Sequence, residues 1–163
     1  MSFCIHCGKT LAERVPPGDN KVRLVCGCCG HVSYVNPKVV VGTLPIVEGR
    51  VLLLRRAIEP RVGLWTYPGG FLEMRETAEE GACREAREEL GVTIGGLRLH
   101  GVYTRTGVGI VTIVYLASLL AGEPGPSPEA LEAAYFAPEE IPWADLAFPT
   151  TEWALKDWTA TLS

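Results

Sequence analysis

Hydrophobic and polar positions divide the chain in two. From Lys38 onward, apolar residues fall into runs and alternations of the lengths that strands and helices use. Val39–Ile46 and Val51–Arg55 predict two strands joined by a turn at Glu48-Gly49-Arg50. Residues 61–72 predict a loop, punctuated by Gly63, Pro68, Gly69 and Gly70. A helix follows: Thr77 is placed to cap it, Glu80 three residues on completes a capping box, and Gly91 after Leu90 suits a left-handed stop. Leu97–Tyr103 and Ile110–Leu120 predict a second strand pair, with the β-branched run Ile110–Val114 as a buried strand. After a Pro/Gly loop at 123–128, Leu131–Phe136 predicts a short strand. Thr150 or Thr151 is then expected to cap a last helix carrying Trp153, Leu155, Trp158 and Leu162. Strands interrupted by helices of this length predict a layered α/β or α+β domain over residues 35–163. Residues 1–34 hold too few large apolar side chains to fold on burial alone. Val35-Asn36-Pro37 marks the junction between the two parts.

Composition narrows the function classes. The formal charge is −4, from 15 basic and 19 acidic residues, which argues against a nucleic-acid binder that uses its whole surface. The charge is uneven: residues 1–34 carry Lys9, Arg14, Lys21 and Arg23 against Glu13 and Asp19, so the acidity lies in 35–163. The longest uncharged stretch, Thr106–Gly122, is shorter than the roughly 20 apolar residues of a membrane span. Met1-Ser2-Phe3-Cys4 lacks the basic and apolar regions of a secretory signal, and a cytoplasmic location is expected.

Five of the six cysteines precede Tyr34. Cys4-x2-Cys7 and Cys26-x2-Cys29 have the spacing of a four-thiolate zinc ribbon, and Gly8 and Gly30 follow each pair where a turn needs positive φ. A Zn²⁺ held by four sulfurs has no open position, so its role is structural. A redox pair is the competing reading. Cys28 is the surplus thiol of its turn, and Cys83 lies on the helix.

Seven acidic residues lie between Glu73 and Glu89. A solvated helix face is the plain reading of such a run. On a helical wheel, however, Glu85, Glu88 and Glu89 fall in one arc beside the apolar stripe Ala78, Ala82, Ala86 and Leu90. Carboxylates so placed raise one another's pKa, and an oxygen-seeking cation such as Mg²⁺ or Mn²⁺ relieves the repulsion. Arg55, Arg56, Arg61 and Arg75 nearby in sequence are candidate phosphate contacts.

Gly70-x5-Glu76-x7-Arg84-Glu85-Ala86-x-Glu88-Glu89-x-Gly91-Val92 resembles the complete signature of the Nudix hydrolases over 23 residues. Gly63–Gly70 and Phe136–Pro142 are also similar to that family. Together with the ribbon, the likeness is to the zinc-ribbon-bearing FAD and ADP-ribose pyrophosphatase type. The resemblance implies an α/β/α sandwich around a mixed sheet. It also implies hydrolysis of a nucleoside diphosphate linked to another group, X, giving a nucleoside monophosphate and X-phosphate. By the same resemblance, Glu85, Glu88, Glu89 and the Gly69 carbonyl hold catalytic Mg²⁺ or Mn²⁺, Arg84 orients a carboxylate, and Glu76 supports the loop–helix junction. The general base is a box glutamate or a glutamate in a later loop, Glu129 or Glu132, with Glu132 the first choice. The AMP half shared by FAD and ADP-ribose calls for a stacking surface, with Tyr103, Tyr67 and Trp65 as candidates.

NADH pyrophosphatases of the family also carry the ribbon, but residues 93–115 hold nothing like their Ser-Gln-Pro-Trp-Pro-Phe-Pro motif. That lowers NADH and NAD caps as substrates. A different class of reading is a non-catalytic nucleic-acid or protein-binding module on a Nudix scaffold; the complete glutamate set argues against it. Relatives are often homodimers, so a dimer is an expectation as well.

Overall fold

The structure, a computed structural model, describes residues 2–162. The chain forms two compact units, Met1–Pro37 and Lys38–Ser163. The first is a three-stranded antiparallel sheet of β1 (Leu11–Arg14), β2 (Arg23–Cys26) and β3 (Val32–Ser33), in that order.

The second unit is a seven-stranded mixed sheet with a helix on each face. Its strands are β4 (Lys38–Val47), β5 (Arg50–Arg56), β6 (Trp65–Thr66), β7 (Gly69–Phe71), β8 (Thr93–Arg105), β9 (Ile110–Ala121) and β10 (Ala130–Phe136). The helices are α1 (Ala78–Leu90) and α2 (Pro149–Ala160). The long path across the sheet runs β10-β5-β4-β9-β8, with β4 and β9 parallel and the other neighbours antiparallel. The β5 run Val51-Leu52-Leu53-Leu54 is fully buried because alternate residues serve opposite faces. Leu52 and Leu54 pack with Ala86 and Leu90 of α1, while Val51 and Leu53 pack with Ala154, Leu155 and Trp158 of α2. The sandwich implied by the family resemblance is therefore present.

β4 and β5 pair only at their hairpin end, Ile46↔Val51 and Val47↔Arg50, around the two-residue turn Glu48-Gly49. Beyond it they diverge. β7 fills the gap beside β4, with Gly42↔Gly69 and Val41↔Gly70, and β6 lies beside β5. The split carries the glycine-rich turn into the middle of the sheet, where α1 begins its approach.

The first helix follows its sequence signals: Thr77 and Glu80 make both halves of the capping box, and Gly91 closes the helix at φ 71°. The second starts earlier than expected. Phe148, not Thr150 or Thr151, is the N-cap residue, and it makes no side-chain cap. Pro149 explains the shift, since proline at the first helical position loses no hydrogen bond. The two threonines are buried, and the Thr151 hydroxyl instead bonds that of Thr66 at 2.9 Å. The strand expected at Leu97–Tyr103 is longer, Thr93–Arg105, and irregular in register near Gly95 and Gly101. Among the described residues, no helix is long and apolar enough to cross a membrane.

Candidate active site and metal centre

The loop–helix segment 69–91 is organised by one arginine. Arg84 Nη2 and Nε donate to Glu76 Oε1 and Oε2 at 2.8 and 3.0 Å, and Nη1 donates to Glu85 at 2.6 Å and Glu88 at 3.0 Å. Nη2 also reaches the Phe71 carbonyl at 3.1 Å, so a single guanidinium ties β7, the 72–77 loop and α1 together. Glu76 accepts from the Glu73 backbone N–H as well. The Arg84 hydrogen bonds, followed by that N–H, hold its carboxyl down at about 2. Arg84 in turn is held more firmly in its charged form, chiefly by Glu76.

Two glycines make this packing fit. A Cβ on Gly70 would stand 2.5 Å from Glu85 Oε1, and one on Gly81 would stand 2.7 Å from Glu76 Oε1. Both carboxylates therefore lie against bare backbone.

Glu89 is the most buried acid of the group, 3% exposed. Its Oε2 accepts from the Gly69 N–H at 2.7 Å. Burial is the main cause that pushes its carboxyl up to about 8, with Glu85 and Glu129 adding to the rise and Gly69 N–H and Arg56 opposing it. Burial also raises Glu85; Arg84 opposes the rise, while Glu88 and Glu129 add to it. The site thus gathers more negative charge than its arginines neutralise. Hard carboxylate oxygens, two of them raised in pKa and one in a cradle that a side chain would fill, suit a divalent cation. The oxygens of Glu85, Glu88 and Glu89 are not converged to the 4.8 Å mutual spacing that the ribbon thiols reach. Arg84 Nη1 bridges Glu85 and Glu88, while Glu89 is bonded separately to the Gly69 N–H.

The remaining candidates separate. Glu132 lies within β10 rather than in a loop; it faces Arg55 in register and pairs with Arg55 Nη1 at 3.0 Å. Glu129, just before that strand, is the later-loop acid whose charge reaches Glu85 and Glu89. Arg55 is further occupied by the Gly63 carbonyl at 2.7 Å. Arg56 is buried: Nε donates to the Pro60 carbonyl at 2.9 Å, and its guanidinium lies 5.1 Å from the centre of the Phe148 ring. Arg61 is exposed. The expected stacking faces are engaged elsewhere. The Tyr103 hydroxyl donates to Asp157 at 2.7 Å and its ring packs on the α2-side core; Tyr67 is buried there, and Trp65 packs edge-on to Phe136. The link from Arg56 to Phe148 had no sequence signal, since 92 residues separate the two.

In the N-terminal unit the four expected cysteines converge, with all Sγ atoms within 4.8 Å of one another. Cys4 and Cys29 stand 3.6 Å apart, and Cys7 and Cys26 3.5 Å. Tetrahedral zinc with Zn–S near 2.3 Å has sulfur–sulfur edges of about 3.8 Å, so the cage is of the right size. The two turns repeat each other. Gly8 and Gly30 donate to Cys4 and Cys26 at 2.9 and 3.0 Å, and Cys4 and Cys26 N–H reach Lys9 and His31 at 2.7 and 2.8 Å. The backbone N–H groups of Cys29 and Cys28 lower the Cys26 thiol to about 6, which favours thiolate there, whereas the Cys7 thiol, despite the Lys9 backbone N–H, is pushed up to about 12 by Cys26 and by burial. Cys28 is exposed and outside the four.

Residues 36–159 match the NUDIX domain, and residues 2–35 match the Nudix N-terminal ribbon. The chain belongs to the Nudix hydrolase family. It is similar to a NUDIX hydrolase from Nitrosomonas europaea of known structure, 41% identical, with a TM-score of 0.89 over 96% of this chain and 89% of that one. An ADP-ribose pyrophosphatase from Methanocaldococcus jannaschii is 34% identical over 113 residues, 67% of this chain and 67% of that protein. A NAD-capped RNA hydrolase NudC from Vibrio vulnificus is 28% identical over 145 residues, 87% of this chain and 53% of that protein. The chain thus spans about half to two thirds of the length of the curated relatives it matches.

Two outcomes follow from this geometry. Glu76→Gln removes a carboxylate whose folded-state pKa is depressed. Its stabilising effect is present above the ordinary glutamate value and is lost as pH falls toward 2. The variant should melt below the wild type at pH 6–7, by a margin that shrinks steadily between about pH 5 and pH 2 in thermal scans. Cys7→Ser should reduce bound zinc, read by elemental analysis, and lower Tm, because a structural site contributes folding energy.

Proposed function

We propose that this chain hydrolyses the pyrophosphate bond of a nucleoside diphosphate linked to X, with FAD or ADP-ribose as favoured substrates. The products are a nucleoside monophosphate and X-phosphate. The observation that carries the reading is the buried Glu89 carboxyl, raised to about 8 beside Glu85 and bonded to the Gly69 N–H at the split between β4 and β5. An acid kept out of water with like charges around it is costly to ionise, and a cationic partner would favour its carboxylate form.

In this reading Glu85, Glu88, Glu89 and the Gly69 carbonyl hold Mg²⁺ or Mn²⁺. Such cations, when bound, neutralise the pyrophosphate and lower the pKa of water. Arg84 sets the orientation of Glu85 and Glu88, and Glu76 fixes Arg84. Glu129 is the better general base than Glu132: its charge already reaches Glu85 and Glu89, whereas Glu132 is spent on Arg55. A Glu129 carboxylate oxygen takes the proton of the attacking water. Structural Zn²⁺ in the ribbon completes the metal complement. Similarity to the ADP-ribose pyrophosphatase supports the substrate class.

A second reading is NADH or NAD-type pyrophosphatase activity. It is favoured by the NudC relative, which aligns over 87% of the chain. A hydrolysis panel of FAD, ADP-ribose, NADH and NAD with Mg²⁺, ranked by kcat/KM, separates the two. Higher kcat/KM for NADH or NAD would reverse the order, and no turnover of any of them would defeat both.

Glu89→Gln should cut turnover at least about 100-fold while the protein stays folded. Glu129→Gln should lower kcat by about 10²–10⁴, the usual worth of a general base, with Glu132→Gln close to wild type. The reverse pattern would restore Glu132 as the base.

A further inference from the structure

The N-terminal sheet carries its cations and its exposed rings on one face. β1, β2 and β3 pair in the register Ala12↔Val25↔Val32, and Arg14↔Arg23 stands two residues along. Tyr34 follows Ser33, the partner of Leu24, and so comes beside Arg23. Phe3 faces Thr10 across an antiparallel bridge, and Thr10 alternates onto the side of Ala12 and Arg14. Glu13, the one acid in the three strands, points to the other side with Leu24 and Cys26. Phe3 and Tyr34 are each 61% exposed, and Ala12 and Arg14 are exposed as well.

Like charges directly opposite each other on a sheet repel, and Arg14 and Arg23 are so placed. Asp19 answers one of them, pairing with Arg23 Nε at 2.9 Å; among the described residues Arg14 has no ion pair. The Arg23 guanidinium lies 5.3 Å from the centre of the Tyr34 ring. That of Arg14 lies back along the sheet, where its Nη2 would stand 3.8 Å from a Cβ on Gly27. Gly27 follows Cys26, the partner of Leu11, so this is the end of the face where Phe3 stands. Each exposed ring thus has a guanidinium at its own end, with half-buried Val25 and Val32 between.

Phe3 and Tyr34 are three strand spacings and four residues apart, a separation of roughly 20 Å. A mononucleotide does not span that distance, whereas successive nucleotides of one strand do. Exposed aromatic side chains on an antiparallel sheet stack unpaired bases, and arginines between them meet the phosphates. A duplex keeps the faces of its bases covered. We propose that this face of residues 2–34 is a docking surface for single-stranded nucleic acid, with Phe3 and Tyr34 as stacking platforms and Arg14 and Arg23 as phosphate contacts. It shares no residue with the carboxylate cluster, and it stands or falls independently of the proposed hydrolysis.

The test is fluorescence anisotropy of the full zinc-loaded chain with labelled single strands of about 12 nucleotides. Tyr34→Ala and Phe3→Ala should each weaken binding about 10-fold, with Tyr34→Phe close to wild type. Arg14→Gln should weaken every sequence alike and lower the slope of log affinity against log salt by about 0.7. Tm and bound zinc should match the wild type in all four variants, because the altered side chains are exposed. A duplex of the same sequence should bind at least about 10-fold more weakly. Full affinity in both alanine variants would overturn the proposal, as would equal binding of the duplex or no binding of single strands at low salt. Tighter binding of a polyglutamate peptide, lost in Arg14→Gln, would also overturn it and make the face a protein site. Should one alanine variant lose zinc, the other, at the opposite end of the sheet, decides.

Discussion

The Arg84 guanidinium is the constraint on which the candidate active site depends. It takes carboxylates from the loop (Glu76) and from its own helix (Glu85 and Glu88), and it also takes a carbonyl from β7. Three acids around one cation would be unstable if spread on a flexible loop. Here the capping box at Thr77 and Glu80 fixes where the helix begins, and Gly70 and Gly81 let the carboxylates lie against backbone. The arrangement leaves one negative group, Glu89, on the far side of the helix edge, out of reach of Arg84 and under the Gly69 N–H. Glu76, Glu85 and Glu88 are thus paired with Arg84, while Glu89 is bonded to the Gly69 N–H.

The sheet supplies the second requirement. Because β4 and β5 separate after their hairpin, a short strand of glycines enters between them. Gly42 and Gly69 face each other there with almost no room: a Cβ on Gly69 would stand 2.5 Å from the Val41 carbonyl oxygen, and one on Gly42 would meet the Tyr67 ring at the same distance. Close backbone approach places the turn against the helix, and burial of Glu89 follows from it. The raised pKa of that acid is thus a result of sheet geometry, through burial, as much as of neighbouring charge.

Much of this was legible in the sequence because local signals and periodicity agreed. Both cap residues of α1 and the arc of Glu85, Glu88 and Glu89 stand where the spacing put them, and the four ribbon cysteines meet as their twin turns suggested. Two of the differences involve contacts between distant segments and one a local signal. Glu132 was expected in a loop, but β10 begins at Ala130 and pairs it with Arg55, 77 residues away. Tyr103 was expected as an open stacking face, but Asp157 on α2 claims its hydroxyl. Thr150 and Thr151 looked like helix caps, yet both are buried, and Pro149 moves the helix start ahead of them. Periodicity places a residue on an element; which partner it meets depends on how elements stack, and that is not written in any one window.

The closed stem of the β5–β6 loop has a consequence for how such a protein can change. Arg56 and Leu64 are joined whatever lies between them, while the carboxylates are set by a different arginine on a different element. The exposed side chains of residues 58–62 can therefore change without disturbing the register of β5 or the seat of Arg84. The exposed positions of that loop and the Arg84 cluster are thus held by separate sets of hydrogen bonds, so one can vary while the other keeps its geometry.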